Sequence, residues 1–185
     1  VPSAIPTLAR LVAGGTRAEY VEPSHQVFAS PRLVHFLEME YSLPRGACAD
    51  ALRSIRSLVD SSGLRISFPI EVRFTAGDDI ALSTAYGPDP AHQRCYLAVH
   101  VYRGMPHEQY FRGVERIMDD HGGRPHWGKL HFQTAATLAA RYPEWDRFQA
   151  VRARLDPEGR FANPYLDRVL GRVGTGRGPV TGFVV

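Results

Sequence analysis

Three runs between Val34 and Arg103 alternate apolar and polar residues, and each predicts a strand. In VHFLEMEY (34–41), His35, Leu37, Met39 and Tyr41 fall on one side and Phe36, Glu38 and Glu40 on the other, and Pro44 ends the strand. ISFPIEVRFT (66–75) puts Ile66, Phe68, Ile70, Val72 and Phe74 on one face and Ser67, Pro69, Glu71, Arg73 and Thr75 on the other. RCYLAVHVYR (94–103) separates Cys95, Leu97, Val99 and Val101 from Tyr96, Ala98, His100 and Tyr102. Two windows instead carry apolar residues at helical spacing. One is 45–60, with Cys48, Ala51, Leu52, Ile55, Leu58 and Val59 and a C-capping Gly63. The other is 106–121, opened by Pro106, striped by Phe111, Val114, Ile117 and Met118, and stopped by Gly122 and Gly123.

Residues 1–33 read as a connecting segment with a short helix around Leu8–Val12. RPHWGKLHF (124–132) reads as a loop leading to a short strand, and residues 34–132 form one unit. A helical segment follows over 133–170, with helices at 134–141 and 144–155, the second striped by Trp145, Phe148, Val151 and Leu155. The glycine-rich tail, 171–185, has no period and reads as disordered.

The order strand–helix–strand–strand–helix–strand predicts an α+β fold: a split βαβ, ferredoxin-like antiparallel sheet with both helices on one face. If the helices cover the apolar faces, Glu38, Glu71, Arg73, His100 and Tyr102 project together from the other side. An ordinary solvated face carries scattered Thr, Lys and Glu. This one is expected to have something polar lying against it.

Composition narrows the options. The chain has 185 residues, 44% of them hydrophobic, enough for one domain with a real core. Lys plus Arg number 22 against 19 Asp plus Glu, so the net charge is only +3 and a phosphate-binding stripe is not indicated. No window approaches the apolar length of a membrane-spanning helix, and the N-terminus lacks the pattern of a signal peptide. Two cysteines, Cys48 and Cys95, make no disulfide framework; both fall on predicted apolar faces and read as small core residues.

Glu71 and Arg73, two apart on a strand, point the same way. The guanidinium offers a fixed fork of donors and the carboxylate accepts from hydroxyls, although from spacing alone a surface ion pair is the commoner case. HWGK (126–129) sets an imidazole, an indole and an ammonium in a glycine-flanked loop that a flat ligand could approach, or simply a packed Trp with solvated neighbours. His121, His126 and His131, five apart, suit neither a helix face nor a strand face as metal ligands. His25, His92 and His107 read as surface histidines, and Asp78 and Asp79 start a turn. There is no nucleophile elbow, P-loop or GxGxxG.

FPIEVRFTAGDDIALSTAYG (68–87), with VHFLEMEYSLPR (34–45) before it and RPHWGKLHFQTAATLAARYPEWDRF (124–148) after it, closely resembles the C-terminal part of the sugar-1,4-lactone oxidases. That family comprises the D-arabinono- and L-gulono-1,4-lactone oxidases and dehydrogenases, with alditol oxidase as a relative. LDPEGRFANPYLDRVL (155–170) extends the likeness, and Gly128 departs from the common HWAK. The resemblance implies a flavoenzyme of the vanillyl-alcohol-oxidase type, whose C-terminal cap domain lays its sheet over the flavin of an FAD-binding domain. Carried over residue by residue, Glu71, Arg73 and Lys129 would be catalytic, Glu38 and His100 substrate-binding, and His126 and Lys129 cofactor-side.

The implied reaction passes a hydride from a secondary alcohol of a sugar lactone, or of a polyol, to flavin N5. The implied cofactor is FAD, held mainly by an N-terminal domain that this chain does not contain. The chain, which starts at Val1, is therefore expected to be a cap-domain piece, or else one of two chains, inactive alone. The implied location is cytoplasmic, with or without peripheral attachment to a membrane. The competing expectation is a free-standing split-βαβ module that binds a small ligand or a protein without redox chemistry. The exposed wall is expected to form a cationic concavity around Arg73, His126 and Lys129.

Overall fold

The computed structural model describes residues 4, 7–8, 11, 21–27, 33–87, 89 and 91–173. The helix expected at Leu8–Val12 and the tail lie largely outside the described residues. After a single helical turn, α1 (Ser24–Val27), the chain runs β1 (Phe36–Pro44), α2 (Cys48–Ser62), β2 (Glu71–Thr75), β3 (Arg94–Tyr102), α3 (Glu108–Asp120) and β4 (Arg124–Pro125). The helices α4 (Ala135–Ala139), α5 (Trp145–Leu155) and α6 (Pro164–Leu170) follow. The four strands form one sheet in the order β2-β3-β1-β4, every neighbouring pair antiparallel. This is the ferredoxin-like arrangement expected from the α+β element order.

Strand alternation and helix periodicity meet in the core. Met39, Tyr41 and Leu43 of β1 and Cys95, Leu97, Val99 and Val101 of β3 pack against Cys48, Ala51 and Ile55 of α2 and against Tyr110, Phe111, Val114 and Met118 of α3. Burial pushes the Cys95 thiol up to about 12, with the neighbouring Cys48 adding to the shift, so both cysteines are inert packing residues. α2 ends at Gly63, whose φ of 63° is left-handed. At Gly123, just past α3, a Cβ would lie 2.7 Å from the Met118 carbonyl oxygen and 3.0 Å from the Tyr41 and Leu43 side chains, so only glycine lets the chain pass so close beneath β1.

The strand expected over 66–75 is shorter than its alternation suggested. Ile66 and Ile70 pack on the core, but the chain bends at Phe68 and pairs with β3 only from Glu71. Pro69 has no N–H to give a ladder, and the bend turns Phe68 away from the helices. Its ring instead meets Phe36, His100 and Tyr102, with centroids 4.5–5.8 Å apart, on the opposite face. The helix expected from Pro106 begins at Glu108, and the strand near HWGK precedes that segment rather than following it.

Of the α5 stripe only Trp145 is buried. Val151 and Leu155 face solvent, and beyond its first turn α5 is held to the end of α6 by polar contacts, Gln149 Nε2 donating to Leu170 O at 2.7 Å and Arg152 Nη1 to Gly171 O at 2.8 Å. α6, which periodicity missed, has a clear N-terminal signal: Pro164 in the first turn and Asn163, whose Oδ1 accepts from Leu166 N at 2.9 Å. α4 and α6 pack with Trp145, Tyr142 and Trp127 in a second, smaller cluster.

Candidate active site

With the helices on one side, the other side of β1, β3 and β2 carries Phe36, Glu38, Glu40, Ala98, His100, Glu71 and Arg73. Ladder register sets their rows: Glu38 opposite His100, and Ala98 opposite both Glu40 and Glu71. Ala98 is the small residue that leaves room across the middle strand. Over it, Arg73 Nη2 reaches Glu40 Oε1 at 2.8 Å and also stands 3.9 Å from Glu71 Oε2. His100 Nε2 lies 3.2 Å from Glu38 Oε1 and 4.0 Å from Glu71 Oε1.

Lys129 arrives from the far side of the sheet. After Pro125 the chain leaves the ladder in a turn closed by Lys129 N donating to His126 O at 3.1 Å. The turn is tied to β1 at both ends, by His126 N to Glu40 O at 2.9 Å and Leu130 N to Glu38 O at 3.0 Å. A turn tied at those two points drops Lys129 Nζ between Glu38 and Glu40, donating to Glu38 Oε1 and Glu40 Oε2. Glu40, only 4% exposed, thus has one cation on each oxygen. A buried carboxylate left unpaired would be strongly destabilising; this one is fully matched.

Glu38, Glu71, Arg73, His100 and Lys129 are therefore brought together as the sequence suggested. His126 is not: it is exposed, and its Nδ1 accepts from Gly128 N at 3.0 Å within its own turn. Sequence reasoning passed over Glu40, the centre of the network. Its signal was the EMEY alternation, which puts it on the same face as Glu38. The expected cationic concavity is corrected as well. Three carboxylates offset Arg73 and Lys129, and the recess beside the cluster, about 520 Å³, is lined by Phe36, Glu38, Trp127, Lys129, Leu130 and Tyr165, among others, not by Arg73 or His126.

Behind Lys129 the turn is braced. Trp127 Nε1 donates to Leu82 O at 2.9 Å, and its ring packs on Tyr142 at 5.2 Å. The Tyr165 hydroxyl donates to Trp127 O, so at the 3.2 Å contact between Tyr165 and His131 the imidazole must be the donor, through Nε2. That tautomer leaves Nδ1 bare, and Nδ1 is buried with no partner. A second proton there would have no acceptor and would face the Arg168 guanidinium. Burial first, then Arg168, pull the His131 pKa down to about 4.

At the other end of the open face, the loop over residues 78–87 folds down. Ser42 Oγ donates to Thr84 O, and the buried Arg94 donates to Ser42 Oγ and O, each at 2.9 Å. Burial, with Arg124 nearby, lowers the Arg94 pKa to about 10. Asp78 organises that loop, accepting from Ile80 N at 3.1 Å and Ser83 Oγ at 2.6 Å. Only the half of the face holding the carboxylate–cation cluster remains open.

Chemically, the cluster suits a neutral ligand rich in oxygens. Arg73 and Glu71 are each about half exposed, with donors and acceptors to spare beside the Lys129 ammonium. Among the described residues no three His, Cys, Asp or Glu side chains group as metal ligands. His131 is buried against Tyr165 and His126 is exposed, so the histidines spaced five apart do not converge.

The fold and site together define a ferredoxin-like domain that carries a polar cluster on the sheet face its described helices leave uncovered, and comparison with known proteins gives it a family. The chain belongs to the D-arabinono-1,4-lactone oxidase family, whose profile matches residues 1–169. It is 56% identical over 171 residues to L-gulono-1,4-lactone dehydrogenase of Mycobacterium tuberculosis, covering 92% of this chain and 39% of that protein. It is 35% identical over 151 residues to L-gulonolactone oxidase of Bos taurus, covering 79% of this chain and 33% of that one. It is also 35% identical over 137 residues to alditol oxidase of a Streptomyces species, covering 72% and 31%. The chain thus spans no more than about two fifths of the length of these relatives. The family does not favour the free-standing binding module. Among the described residues no helix is long and apolar enough to cross a membrane.

Proposed function

We propose that this chain is the substrate-covering part of an FAD-dependent aldonolactone oxidoreductase of the D-arabinono- or L-gulono-1,4-lactone type. The observation that carries the reading is the cluster itself: two cations held on one buried carboxylate, beside a recess that Lys129 helps to line, on the sheet face that no helix among the described residues covers. An ion-pair network with only a structural task needs no such open side.

The donor set fits FAD. A reduced flavin ring carries negative charge, which the Arg73 and Lys129 donors suit. At Gly128 an added Cβ would meet only the His126 ring, at 3.5 Å, so a flat ring system finds the backbone there unshielded. Bound FAD supplies the acceptor for the two electrons that leave the substrate alcohol. Arg73 and Lys129 would donate to the substrate oxygen as negative charge develops on it, its proton passing to solvent water, and each such donor lowers the barrier by about 3 kcal/mol. Glu71, half exposed, accepts from the neighbouring hydroxyl. The His100–Glu38 pair binds a further hydroxyl, and His126, on the outer edge of its turn, is the cofactor-side contact.

The test is reconstitution. Supplying the FAD-binding part, fused or as a separate chain, should bring visible flavin absorbance and lactone-dependent turnover, neither of which is expected of this chain alone. A reconstituted complex that binds flavin yet oxidises neither lactones nor polyols would overturn the proposal.

A further inference from the structure

Among the described residues Glu40 is the least exposed charged group on the open face, and it does not line the recess beside the cluster. Its two oxygens are divided between two cations from different elements: Arg73 of β2 on Oε1 and Lys129 of the 126–129 turn on Oε2. Arg73 is in register with Tyr96, one row along, and its guanidinium reaches Glu40 and Glu71 in the row of Ala98, the small residue between them. Composition sharpens the point. The chain has 21 arginines and a single lysine, Lys129, and that one ammonium sits between Glu38 and Glu40. A compact ammonium fits between two carboxylates where a planar fork would not.

We infer that Glu40 is a positioning residue: it fixes the spacing and direction of Arg73 and Lys129 so that their remaining donors converge on one substrate oxygen, and Ala98 is the gap that permits it. This deepens the proposed function and rests on its assignment of Arg73 and Lys129. Glu40 does not touch the substrate; it acts through the two cations. An amide in its place accepts from one of them and presents N–H to the other, so at least one cation is released.

The single lysine makes the test unambiguous. The chain is labelled with 15N-lysine and assembled with an unlabelled FAD-binding part, and the ammonium signal of Lys129 is followed by NMR beside steady-state kinetics. In the unaltered protein, a held ammonium exchanges slowly and gives one signal. In Glu40→Gln kcat should fall at least tenfold while KM changes less than threefold, and the signal, left with Glu38 alone as a charged partner, should shift and broaden. In Ala98→Val the signal should persist, because only Arg73 is pushed off, and kcat should again fall at least tenfold. A folded Glu40→Gln protein that keeps both the unshifted signal and kcat overturns the inference. Ala98→Val with unaltered kcat overturns it too, even where Glu40→Gln does not fold. Arg73→Ala and Lys129→Ala controls separate the two claims. If they turn over normally, the proposed roles of the cations fail; if they are impaired while Glu40→Gln is not, only the positioning role fails.

Discussion

His131 makes the stability of the protein depend on pH over a window set by one buried imidazole. In the unfolded chain it titrates near 6.5, and in the folded protein near 4, because the bare Nδ1 has no partner and Arg168 is close by. Between those values the unfolded chain binds the proton and the folded protein does not, so stability falls as the pH drops from about 6.5 towards about 4 and has no slope from this group above that range. At pH 4.5 the penalty worked from these two values is about 2.5 kcal/mol, or about 2 kcal/mol after allowing for residual solvent screening. His131→Gln keeps an N–H for the Tyr165 hydroxyl and removes the titration. Urea midpoints for both proteins at pH 7 and pH 4.5 isolate the effect, since every other titrating group is common to the two. The unaltered protein should lose about 2 kcal/mol more than the variant on acidification. Equal losses would refute the account of the His131 tautomer and its surroundings.

Arg73→Ala and Lys129→Ala should each lower lactone turnover in the reconstituted enzyme by about a hundredfold, read as kcat/KM. Both substitutions strip a partner from buried Glu40, so each should lower the urea midpoint measurably, Lys129→Ala the more because it also leaves Glu38 without its ammonium. Gly123→Ala should destabilise the fold by about 2 kcal/mol or more, because the new Cβ meets the Met118 carbonyl and the underside of β1; a thermal melt checks this. Tyr41→Phe removes the hydroxyl that donates to buried Glu115, which keeps Phe132 N at 2.8 Å, and should lower stability by about 1–2 kcal/mol in the same melt.

Much of the open face was legible because strand periodicity is a strictly local rule. Residues two apart share a face, so Glu38 and Glu40, Glu71 and Arg73, and His100 could be put on one side before any pairing was known. The same rule failed at Phe68, where Pro69 interrupts the ladder and the ring just before it crosses to the other face. It also failed on α5, whose helical stripe is real in the sequence but buries only Trp145, the later turns being held by Gln149 and Arg152 through polar contacts to the end of α6.

Element order and the two faces of the sheet followed from the sequence by itself, because each depends on residues within a few positions of one another. Only the tertiary structure decided that Glu40 is buried, that Arg73 reaches it across Ala98, and that Lys129 completes the clamp from a turn remote in the chain. It likewise decided that His131 lies beneath Tyr165 with one nitrogen unmatched, while His126, five residues earlier, stays in solvent. Burial and ion pairing depend on which distant segments share a volume, and that is set by sheet register and helix docking, which no local pattern records.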